Sequence, residues 1–234
     1  MQLQAALDYN YKATDARSET SLPELTVFDA ALAKKLVSEA GDSVDIVEIG
    51  TPFVLEYGLA AVRELKAAFP EKMILADLKI ADAGYYEAAS AFRHGVDIVT
   101  VLGVTEDATI TGAIAAARAY GRAVMVDMLA VADLPARLAQ VDKMGADYIC
   151  LHTSKDLQRL NPDAAKSFAL LKNYVNYAKL VLAGGINRTT VEKFASIQPD
   201  VIIVGEGITG ADSYAEATAF FKSALRSAER SVTA

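Results

Sequence analysis

The stretch Met73-Ile74-Leu75-Ala76-Asp77-Leu78-Lys79-Ile80-Ala81-Asp82 decides how this chain folds. It begins as an apolar run typical of a buried strand and ends in charged residues. Side chains alternate between the two faces of a strand, so Asp77 and Lys79 share one face if the strand runs through both. Barrel and open-sheet α/β enzymes place their chemistry at this end of a strand. A surface ion pair is the simpler interpretation, and the stretch favours catalysis only because other strands end in the same way.

The rest of the chain repeats this alternation of short apolar runs and helical patterns. Such an alternation predicts parallel βαβ units, and eight units that close on themselves make a (β/α)8 TIM barrel. A doubly wound open sheet is the alternative, but the even spacing and the count of eight favour the barrel. The predicted strands are residues 3–7, 45–49, 73–78, 97–101, 123–127, 148–152, 179–183 and 201–205. The predicted helices lie near residues 27–40, 55–68, 84–94, 106–120, 133–144, 163–176, 188–196 and 212–228.

Composition indicates a single globular domain over residues 1–234, with 53% hydrophobic residues to form its core. No apolar run approaches the roughly 20 residues of a membrane span, and the start has no signal-peptide pattern. Cys150 is the one cysteine, which excludes an internal disulfide and suits the cytoplasm. The net charge of −7 argues against broad nucleic-acid binding, because phosphate backbones need a basic face. We therefore expect a cytoplasmic protein with neither a nucleic-acid nor a membrane partner.

Charged and polar residues recur at the ends of the predicted strands. In a barrel these ends converge on one mouth, where crowded carboxylates need a metal ion or another cation to balance them. Glu48 and Asp77 offer the hard oxygen ligands that suit Mg²⁺, whereas histidine and cysteine are too scarce for zinc. Some of these acids could instead cap the following helices. The strand-end residues are Asp8, Glu48, Asp77, Lys79, Asp127 and His152, and Asp82 follows the third strand.

The last two predicted strands end in glycine-rich segments. Ala183-Gly184-Gly185 follows the seventh strand, and Gly205-Glu206-Gly207 follows the eighth. Barrels often bind phosphate at these two loops through backbone N–H groups, and glycine permits close approach of the anion. Tight turns also use glycine, which is the alternative. Glu206 opposes phosphate binding unless its carboxylate points away. We predict a phosphate site at these loops.

Eight motifs together identify the chain as similar to the orotidine-phosphate decarboxylase superfamily. The resemblance is to the branch that holds 3-hexulose-6-phosphate synthases and 3-keto-L-gulonate-6-phosphate decarboxylases, and it covers nearly the whole chain. The motifs are Leu7-Asp8, Val47 to Pro52, Leu75 to Gly84, Thr100 to Gly103, Val126 to Met128, His152-Thr153, Ala183 to Ile186 and Val204 to Gly210.

The resemblance implies a role for each matched position. Glu48 and Asp77 match acids associated with Mg²⁺, and His152 matches a proton-transfer histidine. Asp8 and Lys79 match groups that orient sugar hydroxyls and stabilise an enediolate. Asp82 matches an acid that reaches the neighbouring subunit's site, which implies a homodimer with shared active sites. The phosphate-binding positions are matched by Gly184, Gly185, Gly205 and Glu206, next to Ala183.

The resemblance leaves two activities open. One is an aldehyde-lyase reaction that condenses formaldehyde with D-ribulose 5-phosphate through an enediolate. The other is decarboxylation of 3-keto-L-gulonate 6-phosphate, which reaches the same enediolate. Asp127 and Ala183 favour the synthase, because the resemblance implies that the decarboxylases have glutamate and threonine at these two positions. Lys155 is ambiguous, since it keeps the positive charge of the decarboxylases' arginine.

Two other functions compete with these. A ribulose-phosphate epimerase would be expected to carry two histidines at strand ends, but His94 lies at a helix end. A non-catalytic sugar-phosphate-binding barrel would not need so many charges at one mouth. The polar segment at about residues 9–25 departs from the family as an extended first βα loop, and we expect it to cover the site or extend the subunit contact.

Overall fold

The computed structural model describes residues 1–11, 25–158 and 164–233. Eight parallel strands form a closed barrel in the order β1-β10-β9-β8-β7-β6-β5-β4, and β2 pairs with β3 in a separate antiparallel ladder. The predicted (β/α)8 barrel is therefore confirmed. The strands are β1 Gln2–Leu7, β2 Tyr9–Tyr11, β3 Leu25–Val27, β4 Ile46–Ile49, β5 Met73–Ile80, β6 Ile98–Leu102, β7 Ala123–Asp127, β8 Tyr148–His152, β9 Lys179–Ala183 and β10 Val201–Val204.

The helices pack around the outside of the barrel. They are α1 Ala30–Ala40, α2 Thr51–Ala68, α3 Gly84–Arg93, α4 Asp107–Tyr120, α5 Leu134–Met144, α6 Ala164–Leu171, α7 Val191–Ala195, α8 Glu206–Thr209 and α9 Tyr214–Thr233. Gly121 and Gly145 end α4 and α5 with positive φ angles of 62° and 90°, as the glycine pattern predicts. Within the described residues, no helix has the length and apolarity needed to cross a lipid bilayer.

Alternation along the strands separates two apolar clusters. Val47, Ile74 and Ile149 belong to the larger cluster, which lies between the strands and the helices. The smaller cluster fills the barrel itself, because the alternate residues of each strand point inward. This interior plug consists of Ile46, Leu75, Ile98, Met125, Tyr148, Cys150, Val181, Ala183 and Val201.

An aspartate stands before every second strand and ties the amino-terminal end of the barrel together. The Oδ2 atoms of these aspartates accept hydrogen bonds from backbone N–H groups of the preceding barrel strand, at 2.7–2.9 Å. Acids at this end are thus structural, whereas barrel chemistry belongs to the opposite end. The four pairs are Asp45 with Leu3, Asp97 with Ile74, Asp147 with Val124, and Asp200 with Leu180.

Several boundaries differ from the sequence prediction. Helix α2 begins at Thr51 instead of residue 55, because Pro52 suits a first helical turn and the chain enters the helix directly after β4. Strand β5 continues to Ile80, past a register shift after Ala76. The predicted loop over residues 9–25 has β2 and the start of β3 at its ends, and its residues 12–24 lie outside the described part of the chain.

Candidate active site

A polar layer lies directly above the interior plug. On each of five strands the inward-facing residue changes from apolar to polar over two positions toward the carboxyl end. Alternation with a period of two places these polar residues on the same inner face as the plug. The pairs are Ile46 and Glu48, Leu75 and Asp77, Ile98 and Thr100, Met125 and Asp127, and Cys150 and His152.

Asp77 and Lys79 form an ion pair at the carboxyl end of β5. The same carboxylate accepts hydrogen bonds from Thr51 Oγ1 at 3.0 Å and from Thr100 Oγ1 at 2.8 Å. Burial lowers the pKa of Lys79, but the charge of Asp77 and the hydrogen bond to it outweigh burial and raise that pKa above its ordinary value of 10.5. Lys79 is therefore a fixed positive charge at neutral pH.

The backbone at Lys79 departs from regular strand geometry. Its φ angle is +49°, a left-handed conformation that side-chain-bearing residues rarely adopt. The backbone N–H of Lys79 donates to Thr100 Oγ1 at 2.9 Å, which fixes this conformation from the neighbouring strand. Strained backbone of this kind persists where its surroundings determine it, and it occurs often at functional sites. The bulge lets Lys79 and Asp77 meet at the mouth.

Glu48 and Asp8 have the raised pKa values of crowded, buried carboxylates. Burial first, and then the charges of Asp77 and Asp8, raise the pKa of Glu48 well above its ordinary value of 4.5. Burial and the charge of Asp77 likewise raise the pKa of Asp8 above 3.8. Gln4 donates a hydrogen bond to Glu48 Oε2 at 2.7 Å, while its own Oε1 is buried without a partner among the described residues. This corner of the mouth therefore favours a bound cation.

His152 and Asp127 form a hydrogen-bonded pair on adjacent strands. The ring Nδ1 lies 2.8 Å from Asp127 Oδ2, and Asp127 Oδ1 accepts from the backbone N–H of Leu129 at 3.0 Å. An ionised carboxylate only accepts, so Nδ1 carries its proton and Nε2 is the atom that can exchange one. Burial lowers the pKa of His152, but the hydrogen bond and charge of Asp127 raise it above its ordinary value of 6.5.

The two glycine-rich loops lie beside each other at the ends of β9 and β10. Gly184 and Gly185 have φ angles of +91° and +74°, so both adopt backbone conformations that glycine favours. Gly205 precedes the one-turn helix α8, which starts at Glu206. The carboxylate of Glu206 forms an ion pair with Lys155, whose Nζ lies 2.5 Å from Oε2.

Replacing Gly184 with alanine is expected to destabilise the fold by about 2–4 kcal/mol. A Cβ atom there would lie 2.1 Å from the carbonyl oxygen of Thr153, and backbone cannot move aside as a side chain can. Gly121→Ala is the matched control, because Gly121 also has a positive φ but nothing lies within 4 Å of its added Cβ. Urea unfolding measures both variants, and equal losses would contradict the close packing of this loop.

The fold brings the predicted site residues to one mouth, with the exception of Asp82. Asp82 is exposed, and its Oδ1 accepts a hydrogen bond from the backbone N–H of Ala83 at 2.7 Å. Ala83 itself has a φ of +50°. His94 lies outside the mouth at the end of α3, with Nδ1 2.9 Å from the carbonyl oxygen of Ser90. A second strand-end histidine of the epimerase kind is therefore absent from the described residues.

The carboxylates fit a cation that also binds water and substrate. Within residues 1–11, 25–158 and 164–233, no three histidine, cysteine or carboxylate side chains converge into a protein-only metal site. Mg²⁺ does not need one, since it is usually held by one or two carboxylates and keeps several waters. The donor set of Glu48 and Asp77 meets that requirement, and a cation would oppose the repulsion that raises the pKa of Glu48.

Sequence reasoning missed three residues that hold the acids in place. Gln4, Thr51 and Thr100 donate the hydrogen bonds to Glu48 and Asp77 described above. The sequence pattern could have indicated Gln4 and Thr100, because each is a polar residue at an inward position of an otherwise apolar strand. Thr51 gave none, since it follows the strand and begins a helix.

Comparison with known proteins places this site in a family. Residues 1–220 match the orotidine 5′-phosphate decarboxylase / HUMPS family. A protein of Bacillus subtilis named 3-hexulose-6-phosphate synthase is 43% identical over 222 residues, which cover 95% of this chain and 97% of that protein. A Staphylococcus epidermidis protein of the same name is 44% identical over 193 residues, covering 82% and 92% of the two chains.

Solved structures agree with the sequence relatives. The crystal structure of 3-hexulose-6-phosphate synthase from Salmonella typhimurium is 36% identical, with a TM-score of 0.85. The match covers 97% of this chain and 100% of that one. The chain belongs to the orotidine 5′-phosphate decarboxylase / HUMPS family, in the branch that holds the proteins named 3-hexulose-6-phosphate synthase.

Proposed function

We propose that this protein is an aldehyde-lyase that condenses formaldehyde with D-ribulose 5-phosphate to give a 3-hexulose 6-phosphate. The observation that carries the proposal is the pairing of two dyads at one barrel mouth. His152 with Asp127 supplies a proton acceptor, and Lys79 with Asp77 supplies a fixed positive charge. The names of the relatives support the same reaction.

The substrate phosphate is proposed to bind at the loops that follow β9 and β10. Gly184, Gly185 and Gly205 allow its oxygens to approach the backbone N–H groups closely. The phosphate then anchors one end of the sugar, and the carbonyl end reaches the opposite side of the mouth. Lys79, at the end of β5, lies there, whereas Asp8 lies beside Gly205. Together they orient the hydroxyl groups, which restricts the bound geometry before reaction.

The reaction is proposed to begin when Nε2 of His152 removes the proton from C1 of the sugar. Neutral imidazole with a proton on Nδ1 is the form that Asp127 holds. The resulting enediolate carries negative charge next to Lys79, whose ammonium stabilises it. C1 then attacks the carbon of formaldehyde, so that one carbon–carbon bond forms, and the imidazolium returns its proton to the new alkoxide. Mg²⁺ held by Glu48 and Asp77 would add positive charge near the sugar carbonyl and make the C1 proton more acidic.

Decarboxylation of 3-keto-L-gulonate 6-phosphate is the second candidate. It would form the same enediolate by losing CO₂, and Lys155 keeps the positive charge that favours it. Asp127 and Ala183 support the synthase, because the resemblance implies glutamate and threonine at these positions in the decarboxylases. A binding-only barrel is the weakest alternative, since crowding that raises the pKa of Glu48 and Asp8 serves no purpose in simple binding.

Turnover with both candidate substrates tests the proposal. The purified chain with Mg²⁺ is expected to consume formaldehyde in the presence of ribulose 5-phosphate, and a strong chelator is expected to abolish that activity. Calorimetry with Mg²⁺ alone should show binding that Glu48→Gln weakens at least about tenfold, a readout that does not need turnover. CO₂ release from 3-keto-L-gulonate 6-phosphate without formaldehyde consumption would overturn the assignment in favour of the decarboxylase.

A homodimer with shared active sites is proposed for the assembly. Asp82 is exposed between β5 and α3, which agrees with the role the family resemblance implies. Leu55 on α2 and Tyr86 on the first turn of α3 are 82% and 78% exposed and could line such a contact. Sedimentation equilibrium measures the mass in solution. The cytoplasmic location stays a prediction.

A further inference from the structure

An ion pair crosses the end of strand β9. Lys155 follows β8, Glu206 follows β10, and their Nζ and Oε2 atoms lie 2.5 Å apart. Strand β9 lies between those two strands in the barrel, and Gly184 and Gly185 follow it. The pair therefore spans the loop at which the proposed function places the substrate phosphate.

The pair is placed where it can open. The side chains of Lys155 and Glu206 are 56% and 54% exposed, and ion pairs in water at this exposure are weak. Lys155 also lies within electrostatic reach of Asp8 across the mouth, where its charge acts to lower the pKa of that acid.

An isolated Glu206 carboxylate would repel a phosphate dianion at this loop. When Glu206 is paired with Lys155, the two side chains together add no net charge to the site without substrate. A phosphate dianion brings two negative charges and can also accept hydrogen bonds from the backbone of the glycine loops, so it competes with Glu206 for the ammonium. A neutral sugar has no charge with which to compete.

We propose that Lys155 binds the substrate phosphate and that Glu206 is the counter-ion it exchanges for that phosphate. The exchange makes the pair a determinant of specificity for dianionic sugar phosphates. This inference rests on the proposed function, because it deepens the assignment of the phosphate site. It requires opposite effects from the two side chains: loss of Lys155 weakens binding, whereas loss of Glu206 strengthens it.

Calorimetric titration with ribulose 5-phosphate, and separately with inorganic phosphate, tests the exchange without formaldehyde or turnover. Lys155→Met is expected to weaken binding about tenfold, and Lys155→Arg is expected to restore most of it. Glu206→Gln is expected to tighten binding about threefold to fivefold. Lys34→Met is the matched control, because it breaks the exposed ion pair with Glu64 away from the mouth and should leave binding unchanged.

Three outcomes would overturn the exchange. Weaker binding in both Lys155→Met and Glu206→Gln would show that the pair only holds the loops together. Changes within twofold in both, as in the control, would show a surface pair without function. Absence of phosphate binding in the unaltered protein would remove the site itself. Tight binding with the expected opposite effects but no formaldehyde consumption would overturn the proposed reaction and leave the exchange standing.

Discussion

Lys79→Met is expected to lower kcat/KM about 10²- to 10³-fold, the effect of removing one preorganised group that stabilises a developing anion. Its ammonium pairs with Asp77 and donates a hydrogen bond to Thr51 Oγ1 at 3.0 Å. Its position is therefore set before the substrate binds. Methionine keeps most of the length of the side chain and removes the ammonium group, with its charge and its hydrogen bonds. Steady-state kinetics with ribulose 5-phosphate and formaldehyde measure the loss.

The barrel offers a matched control for this variant at its opposite end. Lys66 Nζ pairs with Asp97 Oδ2 at 2.8 Å, and both members of that pair are about as buried as Lys79 and Asp77. Lys66→Met is expected to reduce stability and leave kcat/KM within about twofold, because the amino-terminal end of the barrel carries structural groups. Similar kinetic losses in both variants would mean that Lys79 acts only through the fold.

His152→Gln is expected to lower kcat about 10²- to 10⁴-fold, since it removes the group proposed to take the C1 proton. Asp127→Asn should also reduce kcat about 10³-fold or more, because asparagine no longer selects the tautomer with the proton on Nδ1. The two losses are not expected to multiply in the double variant, as both remove one proton transfer. A fully multiplicative double variant would contradict a shared role.

The pH profile separates positioning from simple loss of structure. Because His152 must be neutral to accept a proton, kcat/KM is expected to rise with pH through its raised pKa. In Asp127→Asn the group that raises this pKa is gone while burial still lowers it, so the acidic limb of the profile should move to lower pH. An unchanged acidic limb would contradict the coupling of the two side chains.

The raised pKa of His152 also makes the stability of the fold depend on pH. A histidine whose pKa is raised on folding contributes stability that is complete below its unfolded pKa, near 6.5. That contribution is lost as the pH rises through the folded pKa. Urea unfolding across this range should show a steeper decline in the unaltered protein than in His152→Gln.

Much of the architecture was readable from local patterns. The alternation of short apolar runs with helices ending at Gly121 and Gly145 predicts parallel βαβ units, and each of the eight predicted barrel strands is present. The order of apolar and polar inward residues, as at Leu75 and Asp77, follows from the period of two. Boundaries such as the start of α2 at Thr51 were less readable, because helix ends depend on single caps and turns.

The sequence by itself determined the barrel, the family and the set of polar residues at the strand ends, because periodicity and motif spacing are local properties of the chain. Only the tertiary structure decided which of these residues touch. The pairing of His152 with Asp127, the support of Asp77 by Thr100, and the bridge from Lys155 to Glu206 join residues 23 to 51 positions apart. Such contacts depend on strand register and barrel closure, which bring distant segments together and which no local pattern encodes.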